Sequence, residues 1–313
     1  MSDTSHDQAL AELAKAATVF VTSEKRSRWF SNFLKVSVAF YLIASLALMF
    51  DTFDLKTLEE TQHSHVAVIK ITGPIMPETQ TSANSVLPLL EEAFENKHSK
   101  AIMLQLNSPG GSAVQSALIY EGLTALKKRY PTKTVYAVAE DLCASGCYYI
   151  AAGADQIYAS KASIIGSIGV RFDSFGATAL MEKLGIENRS LAAGEHKRLL
   201  DPFSPADTVA QEHLQQHVLA PTHQLFKQAV REGRGDRLKE TPELFTGLVW
   251  LGEEAITLGL IDGIGDLREV ARSKADEENL VEYSQPESLL DQFTKGVGSQ
   301  IALSLSQQTG LKF

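Results

Sequence analysis

The chain has 313 residues, 44% of them hydrophobic and 8% aromatic, which suits one large or two small globular domains and excludes a disordered polypeptide. Its 38 acidic against 29 basic residues give a formal net charge of -9. With no basic stripe long enough to track phosphates, a general nucleic-acid binder is excluded too.

Basic residues cluster only near the N-terminus, where Lys25, Arg26, Arg28 and Lys35 precede the uncharged run Val36 to Phe50. That run covers about 22 Å as a helix, short of the ~30 Å hydrocarbon core. Extension to residues 29–53 supplies the length, with Trp29 at the interface and Lys35 snorkelling. The rival is a cleaved signal with Ser45-Leu-Ala47 as its site, but that site lies inside the apolar run. The expectation is therefore a cytoplasmic segment over 1–28, a transmembrane signal anchor over 29–53 and a polar linker over 54–64. The positive-inside rule puts a globular domain over 65–275 and a tail over 276–313 outside the cytoplasm. Within the first segment, Leu10, Leu13 and Ala17 recur at helical spacing, for a helix that lies on the membrane or frays.

From His65 short apolar strands alternate with helix-length segments. His65–Thr72 predicts a strand, Asn84–Glu95 a helix, Ala101–Leu106 a strand, Val114–Lys128 a helix and Thr134–Ala139 a strand. A short strand follows at Gln156–Ala159, and Ile164–Val170 reads as a strand with tight glycine contacts. A helix around Ala177–Leu184, a strand at Glu187–Leu191 and a long helix over Pro205–Glu232 come next. Gly247–Gly252 and a helix running to Gly265 close the domain. Strands apolar on both faces, joined by helices, imply an α/β fold with one mostly parallel sheet and crossover helices.

The stretch Glu140 to Gly153 follows the third strand, and a strand turning sharply into a helix there exposes unpaired N–H groups beside Ser145. Gly146 puts no side chain in the way of a reacting carbonyl, and its N–H is free for an oxyanion. The alternative is that Ala-Ser-Gly merely lets a helix pack closely on the sheet. Asn107-Ser-Pro-Gly-Gly-Ser112 ends the second strand, so it belongs on the same sheet edge, with Gly110 and Gly111 as a second oxyanion donor or as an ordinary turn. Cys143 and Cys147, four apart, would share a helix face but sit poorly there for a disulfide. They read as small buried hydrophobes, with a redox switch as the sharper alternative. Neither G-x-S-x-G nor S-x-x-K occurs around Ser145. His213 and His217 are one turn apart without the H-E-x-x-H glutamate, which favours a solvated helix face over a metal site.

The ordered set Asn107-Ser-Pro-Gly-Gly-Ser112, Ala144-Ser-Gly146 with Ala151-Ala-Gly-Ala-Asp155, Gly166-Ser-Ile-Gly169 and Gly194-Glu-His-Lys197 resembles the signal peptide peptidase A (protease IV) family of membrane-anchored bacterial serine peptidases. The resemblance runs from about His65 to Val270. It implies a Clp protease/crotonase-like fold and a Ser/Lys dyad, with Ser145 as nucleophile, Lys197 as general base and Ser167 orienting the lysine. Gly110 or Gly111 with Gly146 would form the oxyanion hole, without metal or cofactor. Substrates would be cleaved signal peptides and other unfolded or membrane-released peptides, hydrolysed on the periplasmic side of the inner membrane. Since two-copy relatives assemble the dyad between repeats, this one-copy chain is expected to form a homo-oligomer whose Ser145 and Lys197 come from different subunits. Where the family often has an aromatic before the lysine and an acidic or small residue after it, this chain has His196 and Arg198. His196 is thus a rival base, and Arg198 either lowers the lysine pKa or faces solvent. Two rivals remain, a catalytically idle membrane-bound scaffold and a crotonase-type acyl-CoA enzyme. The tail is expected to enter a neighbouring site as a pseudo-substrate.

Overall fold

The computed structural model describes residues 33–43 and 61–285. Three long strands, β1 (His65–Thr72), β2 (Ser99–Ser108) and β3 (Thr134–Ala144), are apolar on both faces because both faces are covered. In β1, Ala67, Ile69 and Ile71 enter the larger core, while Val66 and Val68 enter a smaller one on the opposite face. The larger core packs against helices α2 (Ala83–Glu95) and α3 (Ala113–Arg129). Each starts at a serine whose hydroxyl accepts from the N–H three residues on, Ser82 from Ser85 and Ser112 from Gln115. In α2 the buried Val86, Leu90, Ala93 and Phe94 form one apolar stripe.

After β3 come α4 (Gly146–Ala151), β4 (Gln156–Ala159), β5 (Ile164–Gly166), α5 (Thr178–Leu184), α6 (Thr208–Leu214) and α7 (Ala220–Arg234). The domain closes with β6 (Val249–Leu251), α8 (Gly252–Thr257), β7 (Gly263–Ile264), α9 (Leu267–Lys274) and β8 (Leu280–Tyr283). The sheet order is β6-β5-β3-β2-β1-β8, and among the described residues only the β5–β6 pairing is antiparallel. At β3 the sheet forks. Tyr136 to Ala139 pair with β4, whereas Leu142 to Ala144 pair with β5, so the end of β3 carries its own neighbour toward the α4 turn. The α/β class and mostly parallel sheet match the expectation and fit a Clp-protease-like fold.

A buried ion pair ties the second half to the sheet. Arg234 on α7, 1% exposed, grips Asp262 with both terminal nitrogens at 2.8 and 2.9 Å and donates through Nε to the Gly259 carbonyl. Asp262 also accepts from the Ile157 N–H of β4 at 2.7 Å, which fixes the chain just before β7.

Several elements differ from the sequence expectation. No strand forms over Glu187–Leu191. There the Asn188 side chain takes the Ser190 N–H and donates to Asp201 and the Phe203 carbonyl, so side-chain bonds hold the segment as a loop. The long helix expected over Pro205–Glu232 starts at Thr208, capped by Asp207, and is interrupted by a π-helical turn at Gln215–Leu219. Pro221 follows at the start of α7, and its missing N–H explains a wider turn at that point. β3 continues past Ala139 to Ala144, and β8, which sequence patterning missed, pairs with β1 beyond residue 275. Helix α1, residues 33–43, falls within the anchor expected over 29–53, the rest of which lies outside the described residues. So do the helical spacing of Leu10, Leu13 and Ala17, most of the linker and the tail from residue 286. Among the described residues no helix is long and apolar enough to cross a membrane.

Candidate active site

Because β2, β3 and β5 run parallel, the loops after them share one sheet edge. β3 hands over to α4 through Ser145, whose backbone stands at φ 54° and ψ -124°, a region that side chains other than glycine rarely occupy. Ser167, just after β5, stands at φ 52°. Only four non-glycine residues have positive φ among the described residues, and these two expected site serines are half of them. The Ser145 N–H donates to the Gly166 carbonyl at 2.8 Å and the Ser167 N–H to Leu248 at the same distance, so the two turns are adjacent and separately pinned. Both serines are half-buried.

The Pro109-Gly110-Gly111 loop closes over the same turn. A Cβ on Gly110 would fall 2.5 Å from the Gly146 nitrogen and 2.8 Å from Ser145 Cβ. A Cβ on Gly146 would lie 3.3 Å from the Gly111 nitrogen and 2.3 Å from Ser116 Oγ. Gly110, at φ +87°, holds this approach from both sides, since the Ile75 N–H donates to its carbonyl at 2.9 Å and its own N–H donates to Ser108 Oγ at 3.1 Å. The backbone nitrogens of Gly111 and Gly146 thus lie near each other and next to a strained serine. Ser145, Ser167, Gly110, Gly111 and Gly146 are brought together.

Lys197 is placed otherwise. It lies exposed in the turn Gly194–Asp201, and among the described residues its amine makes no hydrogen bond to Ser145 or Ser167. Its neighbours are anchored. His196 Nδ1 lies 2.7 Å from the Asp207 carboxylate, which caps α6. Arg198 donates to Asp201 from Nε and Nη2, and to Ser204 and the Ser190 carbonyl. Both flanking residues are therefore tied to carboxylates while Lys197 itself stays exposed. The hydrogen bond to the Asp207 carboxylate raises the His196 pKa, with the charges of Asp207 and Glu195 adding to it.

Two findings depart from the sequence reading. Cys143 and Cys147 are not separate small hydrophobes but a disulfide, with Cα atoms 5.1 Å apart. They do not share a helix, because Cys143 is the last but one residue of β3 and Cys147 belongs to α4, and the sharp turn at Ser145 folds one back on the other. His223 on α7, passed over in the sequence, sets its Nε2 3.1 Å from the Ile168 carbonyl, one residue beyond Ser167. Burial pushes its pKa down. A histidine one turn into an amphipathic helix carries no local mark of that contact. His213 and His217 set their ring centroids 4.7 Å apart at a tilt of 31°, and among the described residues no group of three or more His, Cys, Asp or Glu side chains is set to hold a metal.

Comparison with known proteins gives the geometry its context. The model of peptidase family S49 matches residues 127–281, a span that includes Ser145, Ser167 and Lys197. The chain is 39% identical over 241 residues to a protein of Brucella abortus (strain 2308) named Na(+)/H(+) antiporter NhaA, covering 75% of this chain and 32% of that protein. It is 31% identical over 248 residues to the chloroplastic serine protease SPPA of Arabidopsis thaliana, covering 75% of this chain and 36% of that one. To a putative signal peptide peptidase SppA of Enterococcus faecium it is 30% identical over 234 residues, covering 74% and 67%. The chain thus spans about a third of the length of the first two of these relatives.

Proposed function

Because the chain belongs to peptidase family S49, we propose that it is a membrane-anchored serine endopeptidase using Ser145 as nucleophile and Lys197 as general base on cleaved signal peptides and other unfolded or membrane-released peptides. The observation that carries this reading is Ser145 at φ 54° on a strand-to-helix turn, with the Gly111 and Gly146 nitrogens beside it. Ser145 Oγ attacks the scissile carbonyl, the two N–H groups hold the oxyanion, and the lysine takes the serine proton and returns it to the leaving amine. Ser167, on the adjoining turn, orients the amine.

A lysine with an ordinary pKa of about 10.4 acts as a base near neutrality only when desolvation or a nearby cation lowers it. In this reading a second copy of the chain supplies the desolvation and brings Lys197 to its neighbour's Ser145. Exposed apolar side chains on the lysine's own segment, Phe172, Phe175, Leu191 and Phe203, support such a contact. The reading places the peptidase domain on the periplasmic side of the bacterial inner membrane, held by an anchor over 29–53. The Cys143–Cys147 disulfide favours that side, since such bonds persist in oxidising compartments.

The test is hydrolysis of a fluorogenic apolar peptide by the full chain in detergent, beside Ser145→Ala, Lys197→Ala and His196→Ala. Loss of activity in the first two and retention in the third is the expected result. Equal background in all four would hand the function to a scaffold. A thermal shift with a CoA thioester would instead point to acyl-CoA chemistry.

A further inference from the structure

The disulfide closes a ring over Ala144, Ser145 and Gly146, the three residues that make the nucleophile turn. On one side Cys143 is fixed in the sheet, in register with Ser108 of β2 and Ile165 of β5. On the other, Cys147 is the second residue of α4, a helix of only 6 residues, too short to hold itself. Between them Ser145 keeps an unfavourable backbone conformation without a side-chain capping bond. Its main chain is held by the N–H bond to Gly166 and by a bond from the Tyr149 N–H to its carbonyl at 3.0 Å. Both cysteines are buried, at 1% and 0% exposure, in the core beneath the turn.

We propose that the Cys143–Cys147 disulfide is a positioning clamp for the nucleophile, holding the Ser145 turn in its strained conformation so that Ser145 Oγ and the Gly146 N–H stay aligned for attack. The clamp rests on the assignment of Ser145 as nucleophile. A ring this short removes little freedom from the unfolded chain, so its main effect is not on global stability. It acts where glycine would be the comfortable residue and the chemistry demands serine. Without the bond, α4 and the end of β3 keep their packing in the core but lose the covalent cross-link beneath the turn, which relaxes toward an ordinary backbone region and turns Oγ away.

The test uses the full chain, the double variant Cys143→Ala/Cys147→Ala, and wild-type protein reduced with dithiothreitol. In the reduction the two thiols of dithiothreitol become its cyclic disulfide, and Cys143 and Cys147 are left as thiols, verified by alkylation and mass. Three readouts are followed: acylation of Ser145 by a fluorophosphonate, kcat and KM on a fluorogenic peptide, and amide hydrogen exchange over residues 140–152. Loss of the bond is expected to slow acylation and kcat about tenfold or more while KM stays within about twofold, the pattern of a mispositioned nucleophile. Exchange over 140–152 rises, exchange in β1 and β2 does not, and reoxidation restores the wild type. The double variant is indifferent to dithiothreitol. Acylation and local exchange unchanged in the double variant overturn the clamp; if that variant does not fold, the same result in verified reduced wild type overturns it. If wild-type Ser145 resists acylation yet local exchange rises on reduction, the clamp on the turn stands and the nucleophile assignment falls.

Discussion

Replacing Gly110 with alanine separates backbone strain from site geometry, because the fold supplies its own control. Gly73 and Gly110 have nearly the same φ, +88° and +87°, but a Cβ on Gly73 meets nothing within 4 Å. Gly73→Ala therefore carries only the left-handed backbone cost, about 1–2 kcal/mol. On Gly110 the new methyl would meet the Gly146 nitrogen at 2.5 Å, the Ala144 carbonyl oxygen at 2.7 Å and Ser145 Cβ at 2.8 Å. None of these is the free end of a flexible side chain, so overpacking adds about 1–3 kcal/mol, for a total of roughly 2–5 kcal/mol. Relief of the clash pushes the Gly146 N–H out of place, and loss of one such donor lowers kcat by about 10²–10³. Urea unfolding and peptide hydrolysis measured on both variants read these effects. Gly73→Ala should lose a little stability and keep its kcat, whereas Gly110→Ala should lose more stability and nearly all its activity. Equal stability and equal kcat in the two variants would refute the packing of the glycine loop on the nucleophile turn.

Asp262→Ala leaves the buried Arg234 guanidinium without its carboxylate and should cost about 3–5 kcal/mol in urea unfolding. Glu282→Ala, which breaks the exposed pair with Lys70, should cost less than about 1 kcal/mol. His65, buried between the His63 carbonyl at 2.7 Å and the Tyr283 hydroxyl at 3.0 Å, has its pKa lowered chiefly by burial. The unfolded chain binds a proton more readily there, so this contribution is full above about pH 6.5 and is lost as pH falls toward the folded pKa, at up to about 1.4 kcal/mol per pH unit. His65→Asn should therefore show a flatter stability profile between pH 6.5 and 5 than the wild type, measured by urea midpoints. Removing residues 286–313 leaves β8 intact and tests the tail as pseudo-substrate, since activity should rise if the tail occupies a neighbouring site and a deletion from residue 276 would remove a strand as well.

The strands of the sheet centre were legible because burial on two faces leaves a run such as Ala-Ile-Met-Leu-Gln-Leu little else to be. Their helices carried capping serines and apolar stripes that need no tertiary information. β8 was not legible. Leu280–Tyr283 sits in an acidic stretch and becomes a strand because the edge of β1 is there to pair with, a fact that no local window contains. The reverse error at Glu187–Leu191 has the same root, since a plausible strand sequence without an available edge settled into bonds from the Asn188 side chain instead.

At the site, the nearness of the Ser145 turn and the Gly110-Gly111 loop was legible because parallel strands deliver their C-terminal loops to one edge whatever the details between them, whereas Ser167 was singled out only through the family resemblance. The cysteines were misread because spacing arguments assume that both residues lie on one element. On one helix, residues four apart rise about 6 Å along the axis and their side chains point the same way. Here the Cα atoms are 5.1 Å apart because an element boundary falls between them, at the residue whose conformation a sequence discloses least. At Ser145, with φ 54°, local propensity is overridden, so pair spacing taken across that turn is the least reliable inference. The same reasoning explains Lys197. Its turn is fixed by Asp207 and Asp201, both local and legible, but the surface that buries its amine is not contained in one copy of the chain in the proposed reading. In that reading, a base that must be desolvated and is exposed in the single chain makes assembly a condition of catalysis. Dilution below the dissociation constant should then abolish peptide hydrolysis without unfolding the domain.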